Sequence, residues 1–143
     1  MNQDEIKQLI PHRDPFLWLD EVVELTETTI HARKFLAPNL DVFAGHYPGN
    51  PVFPGVLQLE TAMQAGAVLI ATTQSMGSGK VPVATRISDT KFRRMIHPGD
   101  TMDVHVTLTE QLANAFFLTA KVSVDGKVAT RLDFACAAVD PDA

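Results

Sequence analysis

The sequence predicts an α+β fold in which a curved antiparallel β-sheet wraps around one long helix. Three observations carry that prediction. One helix-friendly apolar segment, Val56 to about Ser75, lies near the middle of the 143-residue chain. Strand-like segments separated by turn signals fill almost everything after it, and a shorter strand pair precedes it. Strands grouped around a single helix, rather than alternating with several, favour an antiparallel sheet over βαβ units.

Taken in order, Asp4–Ile10 offers a short helix with Ile6, Leu9 and Ile10 on one face. Pro11 ends it, and His12-Arg13-Asp14-Pro15 is a turn. Phe16 to about Thr26 reads as a strand, hairpinned around Glu27-Thr28 to a second, Thr29–Leu36. The segment holding Gly45, Pro48, Gly49, Pro51, Pro54 and Gly55 cannot be helix or regular strand. The helix that follows is apolar nearly all round, which predicts burial, and its polar exceptions Glu60 and Gln64 share a face. At about 20 residues it spans roughly 30 Å, enough to cross a small sheet. Gly77-Ser78-Gly79 is expected to stop it. Val81–Arg94 is extended, as one strand or two broken ones, and His97-Pro98-Gly99-Asp100 is a turn. Met102–Thr109 and Phe116–Val124 alternate strictly, and Asp125-Gly126 is a tight-hairpin signal leading to Val128–Val139. Asp140–Ala143 reads as a frayed tail.

Length allows one domain, residues 1–143, with a real core. A composition 45% hydrophobic and 20% charged excludes extensive disorder, and a net charge of −5 gives no nucleic-acid footprint. The lone cysteine, Cys136, excludes an intramolecular disulfide and reads as inert core. No N-terminal segment resembles a signal peptide, so a cytoplasmic location is expected. The most apolar run, Ala65–Ala71, is far short of the ~20 residues of a membrane span. No histidine pair has metal-ligand spacing, and Gly77-Ser78-Gly79-Lys80 lacks the spacing of a phosphate loop. His12, Arg13, His31, His97 and His105 read as turn or surface residues.

The chemistry concentrates in Gly45-His46-Tyr47-Pro48-Gly49-Asn50-Pro51-Val52-Phe53-Pro54-Gly55-Val56-Leu57, with Glu60 and Gln64 on the helix. Taken alone, His46 reads as a structural turn residue, and Glu60 as either a catalytic or a surface-emerging carboxylate. With Leu9-Ile10-Pro11-His12-Arg13-Asp14-Pro15-Phe16, Lys91-Phe92-Arg93-Arg94 and Pro98-Gly99-Asp100, the stretch closely resembles the 3-hydroxyacyl-acyl-carrier-protein dehydratases of type II fatty-acid synthesis, which have the hotdog fold. The matching pieces occur in family order over positions 9 to 100, and beyond Asp100 the resemblance is one of strand pattern.

The resemblance implies dehydration of a 3-hydroxyacyl thioester to the trans-2-enoyl thioester, with His46 as catalytic base and Glu60 as its acidic partner. It implies that the Gly55 N–H binds the thioester oxygen and that the Val52 carbonyl orients His46. Gln64, four residues on from Glu60, reads as supporting it or as an amide that simply satisfies a buried carboxyl. Glutamate at position 60 favours the simple dehydratase over the sister group that also isomerises the double bond. Tyr47 and Phe53 replace the usual phenylalanine and methionine, and with Ile96 they are expected along the acyl tunnel. Gln58 and Thr61 are more polar than the family pattern, which bears on acyl-chain preference. The resemblance implies a homodimer with shared sites, with trimers of dimers common among similar proteins. It implies no cofactor or metal, the acyl group arriving on the phosphopantetheine of an acidic acyl carrier protein.

The residue types suit that reaction. A neutral imidazole titrates near working pH and can take the α proton, and a carboxyl on an apolar helix surface can protonate the departing hydroxide. Pro54-Gly55 stands where backbone N–H groups lack partners, and glycine allows close approach. Lys91, Arg93 and Arg94 form a basic patch in an acidic chain, either a carrier-docking site or a strand edge protected against pairing. The rival readings are another hotdog enzyme (a thioesterase or a coenzyme A-linked enoyl hydratase) and a non-catalytic acyl-binding subunit.

Overall fold

The computed structural model describes residues 1–142. In chain order the elements are α1 (Gln3–Lys7), β1 (Glu21–Leu25), β2 (Thr29–Phe35), α2 (Asp41–Gly45), α3 (Gly55–Thr73), β3 (Val81–Phe92), β4 (Thr101–Leu112), β5 (Ala115–Val124) and β6 (Lys127–Val139). The strands form one sheet in the order β1-β2-β4-β5-β6-β3, every neighbouring pair antiparallel. The sheet curves around α3, as the sequence predicts.

Strand alternation sets which face meets the helix. Ala32, Met102, Val104, Val106, Phe116, Leu118, Ala120, Val122, Leu132 and Phe134 are buried with Ala62, Ala65, Val68, Leu69 and Ile70 of α3. Small residues bring the helix down onto the sheet. A Cβ added at Gly66 would lie 2.8 Å from Cζ of Phe134, so only glycine admits that ring. The buried polar side chains of Gln58, Thr61, Gln64 and Thr130 find partners, whereas the Trp18 indole N–H and His12 Nδ1 are buried without one among the described residues. The Thr61 hydroxyl donates to the Leu57 carbonyl at 2.7 Å. The Gln58 amide donates to the Phe53 carbonyl at 3.3 Å and accepts from the Thr130 hydroxyl of β6. The unusual polarity of Gln58 and Thr61 is thus absorbed by internal bonds.

Three local expectations need correction. The predicted strand from Phe16 begins only at Glu21, because the Phe16 carbonyl and Trp18 N–H bond to the Gln64 side chain instead of to a neighbouring strand. Helix α2 was not foreseen; one short turn among prolines and glycines carries too little periodicity to read. Helix α3 stops at Thr73, short of Gly77-Ser78-Gly79. Gln74 turns extended (φ −118°, ψ 148°), while the Thr72 and Thr73 hydroxyls bond back to the Val68 and Leu69 carbonyls. The segment from Val81 is one strand, ending at Phe92, with register shifts between Ala84 and Arg86 and between Ser88 and Lys91. At the β5–β6 turn, Asp125 and Gly126 have φ of 51° and 77°, the left-handed pair that a two-residue hairpin needs. Asp140–Asp142 follow β6 outside any strand, and Ala143, the end of the expected tail, lies outside the described residues.

Candidate active site

The loop before α3 fixes a histidine by two bonds to one residue. The Val52 N–H donates to the His46 carbonyl at 2.9 Å, and His46 Nδ1 lies 2.9 Å from the Val52 carbonyl oxygen. A carbonyl can only accept, so Nδ1 carries the proton and neutral His46 keeps its lone pair on Nε2. The Tyr47 ring stacks on the imidazole at 4.0 Å between centroids. The loop is tied down where the Phe53 N–H donates to the Ile96 carbonyl at 2.7 Å. Tyr47 is exposed beside His46, whereas Phe53 and Ile96 are buried beneath the loop, Phe53 edge-on to Trp18 at 5.1 Å.

Helix α3 begins directly after this loop. Pro54 is its N-cap, its carbonyl accepting from the Leu57 and Gln58 N–H groups, each at 3.1 Å. Gly55 is the first helical residue, so its N–H has no partner within the helix and sits at the positive end of the dipole. The Phe92 ring of β3 lies against it. A Cβ at residue 55 would stand 2.7 Å from Cε1 of Phe92. Phe92 is 54% exposed and was not singled out from the sequence, where it reads as the aromatic within a basic motif.

A second group of residues surrounds Glu60. Gln64 Nε2 donates to Glu60 Oε2 at 3.0 Å and to the Phe16 carbonyl at 2.8 Å, while Gln64 Oε1 accepts from the Trp18 N–H at 2.8 Å. The Phe16 carbonyl and Trp18 N–H fix which end of the amide is nitrogen, so Glu60 Oε2 faces a donor. His12 Nε2 lies 3.6 Å from the same oxygen. The turn carrying His12 is clamped by Arg13, whose guanidinium donates to the carbonyls of Lys7, Ile10 and His12 at 2.7–2.9 Å. The sequence reads His12 and Arg13 as turn residues and signals neither this clamp nor the contact with Glu60. Proximity to a helix carboxylate across the fold leaves no signal in spacing.

Within one chain the two groups stay apart: among the described residues, His46 and Glu60 make neither a hydrogen bond nor an ion pair with each other. Gly55 and Glu60 project about 140° apart on a helix of ~3.6 residues per turn. Lys91, Arg93 and Arg94 are exposed, with the Arg93 and Arg94 N–H groups on the Ala129 carbonyl. Lys91 stands opposite Arg131, Arg131 opposite Lys121, Lys121 opposite His105, and His105 opposite His31. Directly paired residues share a face, so these side chains form a row across the outer face of the sheet.

Elsewhere, His31 and His105 stack at 4.1 Å, and Asp103 accepts from Arg33 at 2.8 Å and lies 2.7 Å from His31 Nε2. Burial pushes the Cys136 thiol up to about 11, which leaves it inert at neutral pH. Among the described residues no cluster of His, Cys, Asp and Glu is arranged to hold a metal, and no helix is long and apolar enough to cross a membrane.

A curved antiparallel sheet closed over one helix, with a histidine loop at the helix start, defines a hotdog-fold protein. The fold is shared with the dehydratase heterocomplex ApeI:P from Xenorhabdus doucetiae, with a TM-score of 0.79 at 14% identity over 96% of this chain and 92% of that one. A hypothetical thioesterase from Streptococcus pneumoniae gives a TM-score of 0.66 at 12% identity, over 84% of this chain and 85% of that one. Sequence narrows the class. The FabA-like domain model matches residues 10–133, well past Asp100. The 3-hydroxyacyl-(acyl-carrier-protein) dehydratases FabZ of Rickettsia bellii and Clostridium perfringens are each 40% identical, over 91% and 90% of this chain and 90% and 92% of theirs. That of Oenococcus oeni is 41% identical over 93% of this chain and 96% of its own. The chain belongs to the FabZ family of dehydratases within the FabA-like group.

Proposed function

We propose that His46 and Glu60 are the base and acid with which this hydro-lyase dehydrates 3-hydroxyacyl-acyl-carrier protein to the trans-2-enoyl thioester in fatty-acid synthesis. His46 Nε2 takes the α proton, the electron pair forms the Cα–Cβ double bond, and the β C–O bond breaks. Glu60 gives its proton to the departing hydroxyl, which leaves as water. The Gly55 N–H stabilises the enolate-like thioester oxygen, a donor worth roughly 3 kcal/mol in the barrier. Afterwards a proton returns from His46 to Glu60 through solvent, so no cofactor or metal is invoked. The observation that carries the assignment is the bond from His46 Nδ1 to the Val52 carbonyl at 2.9 Å, which leaves Nε2 as the basic atom.

The two groups on either side of the α3 N-terminus support a site shared between two copies of the chain. One copy supplies His46, Val52 and Gly55, and the other supplies Glu60 with Gln64. Strand β3 is an edge of the sheet, twelve residues long, with Val83, Ile87 and Phe92 exposed at 42%, 45% and 54%. A long apolar edge is a pairing template, and a second β3 fits it. Dimers of this kind can assemble further into a trimer of dimers. Tyr47, Phe53 and Ile96 are assigned to the wall and floor of the acyl tunnel. The carrier protein docks on Lys91, Arg93 and Arg94, with the row through Arg131 and Lys121 extending its footprint. The reading places the protein in the cytoplasm.

The test is hydration of crotonyl-acyl carrier protein, followed at the enoyl absorbance, with crotonyl-coenzyme A in parallel. Wild type is expected to prefer the carrier-linked substrate, and His46→Ala and Glu60→Gln each to lose at least about a hundredfold. Folded variants as active as wild type would overturn the assignment.

A further inference from the structure

Two side-chain nitrogens converge on one oxygen of Glu60. Gln64 is 1% exposed and its amide orientation is set by the main chain, so its bond to Oε2 at 3.0 Å is built into the fold. His12 Nε2 approaches that oxygen at 3.6 Å. The other ring nitrogen, Nδ1, is buried with no partner among the described residues. A buried orphan N–H is rarer in folded proteins than a buried orphan acceptor, so the proton of neutral His12 belongs on Nε2, facing Glu60. Arg13 holds this geometry by tying the His12 carbonyl to those of Lys7, at the end of α1, and Ile10.

We propose that His12 is a positioning residue for the Glu60 carboxyl: with Gln64 it holds Oε2 as an acceptor and leaves Oε1 as the oxygen that passes its proton to substrate. The contact at 3.6 Å is longer than a hydrogen bond and closes to one when substrate orders the site, as active-site bonds commonly do. A carboxyl with both oxygens equivalent would present its proton at the wrong oxygen part of the time. Two donors on Oε2 remove that ambiguity before substrate arrives. The turn carrying His12 is therefore part of the active site. The inference rests on Glu60 being the acid.

The test compares two substitutions of similar length, His12→Gln, whose amide retains an N–H donor, and His12→Met, which has none. Both are measured on crotonyl-acyl carrier protein, alone and in a Glu60→Gln background, with thermal melts alongside. His12→Met is expected to lower kcat about tenfold with KM unchanged, and His12→Gln to stay within about threefold of wild type. In the Glu60→Gln background neither substitution should lower the residual rate further, because His12 acts through a carboxyl no longer present. Equal losses for Gln and Met, a loss confined to KM, or an undiminished loss in the Glu60→Gln background would overturn the inference while leaving the acid–base assignment intact. A fully active Glu60→Gln single variant would overturn both.

Discussion

Replacing Gln64 by leucine tests how tightly fold and site are joined, because one buried amide serves both. The substitution keeps an apolar body on α3 but removes three hydrogen bonds, to the Trp18 N–H and Phe16 carbonyl at 2.8 Å and to Glu60 Oε2 at 3.0 Å. The Trp18 N–H is buried and loses its partner outright, at about 1–3 kcal/mol. The Phe16 carbonyl belongs to a residue 48% exposed, so water takes over much of its loss and about 0.5 kcal/mol remains. Together the destabilisation is about 1.5–3.5 kcal/mol. For a domain of this size that lowers Tm by roughly 5–10 °C. Urea unfolding at fixed protein concentration should show a lower midpoint with an unchanged slope. Activity should fall by about tenfold as Glu60 loses its fixed donor. A midpoint shift worth less than about 0.5 kcal/mol would mean that the Phe16–Trp18 segment is held by packing alone and would refute the reasoning.

Four further outcomes follow from other parts of the molecule. Gly66→Ala forces a Cβ to 2.8 Å from Phe134 and 3.3 Å from Leu118, so overpacking should cost about 1–3 kcal/mol in urea unfolding, and wild-type stability would contradict the packing described. Burial, with the charge of His31 beside it, holds the His105 imidazole below its ordinary 6.5, so the unfolded chain binds that proton first as pH falls. Stability should therefore decline below about pH 6.5, and His105→Asn should flatten that decline; parallel pH profiles for variant and wild type would count against it. Burial opposes ionisation of Asp103 as well, but hydrogen bonds from Arg33 and His31 outweigh it and hold the carboxyl below 3.8. The stability Asp103 contributes should thus be present above about pH 4 and lost as pH falls through its lower folded value, a loss Asp103→Asn should abolish. Charge reversal at Lys121 should raise KM for the carrier-linked substrate several-fold at low salt and leave the coenzyme A thioester unaffected, whereas equal effects on both would exclude the outer row from docking.

The parts of the molecule legible in its sequence are those governed by local rules. Strict alternation in Met102–Thr109 and Phe116–Val124, the Asp125-Gly126 turn and the change from proline and glycine to apolar residues at Val56 each depend on neighbours in the chain. Those elements fall where the pattern put them. What stayed hidden depends on contacts between distant residues. Phe16–Asp20 has strand composition, yet its Phe16 carbonyl and Trp18 backbone N–H go to a side chain on α3. Gly55 could be read as a close-approach glycine, but the ring that approaches it, Phe92, comes from the far end of β3. The resemblance to a family pointed to His46, Glu60 and Gln64 together. Only the fold brings His12 to the same carboxyl.

The central claim, an acid and a base contributed by different copies of the chain, is tested most directly by complementation. His46→Ala and Glu60→Gln chains, each inactive alone, are unfolded, mixed in equal amounts and refolded together. In a twofold dimer with shared sites, every mixed dimer rebuilds one intact site. Random pairing should then restore about one quarter of wild-type activity. Refolding mixtures that form dimers yet stay inactive would contradict the account, for they would mean that each site draws His46 and Glu60 from the same chain.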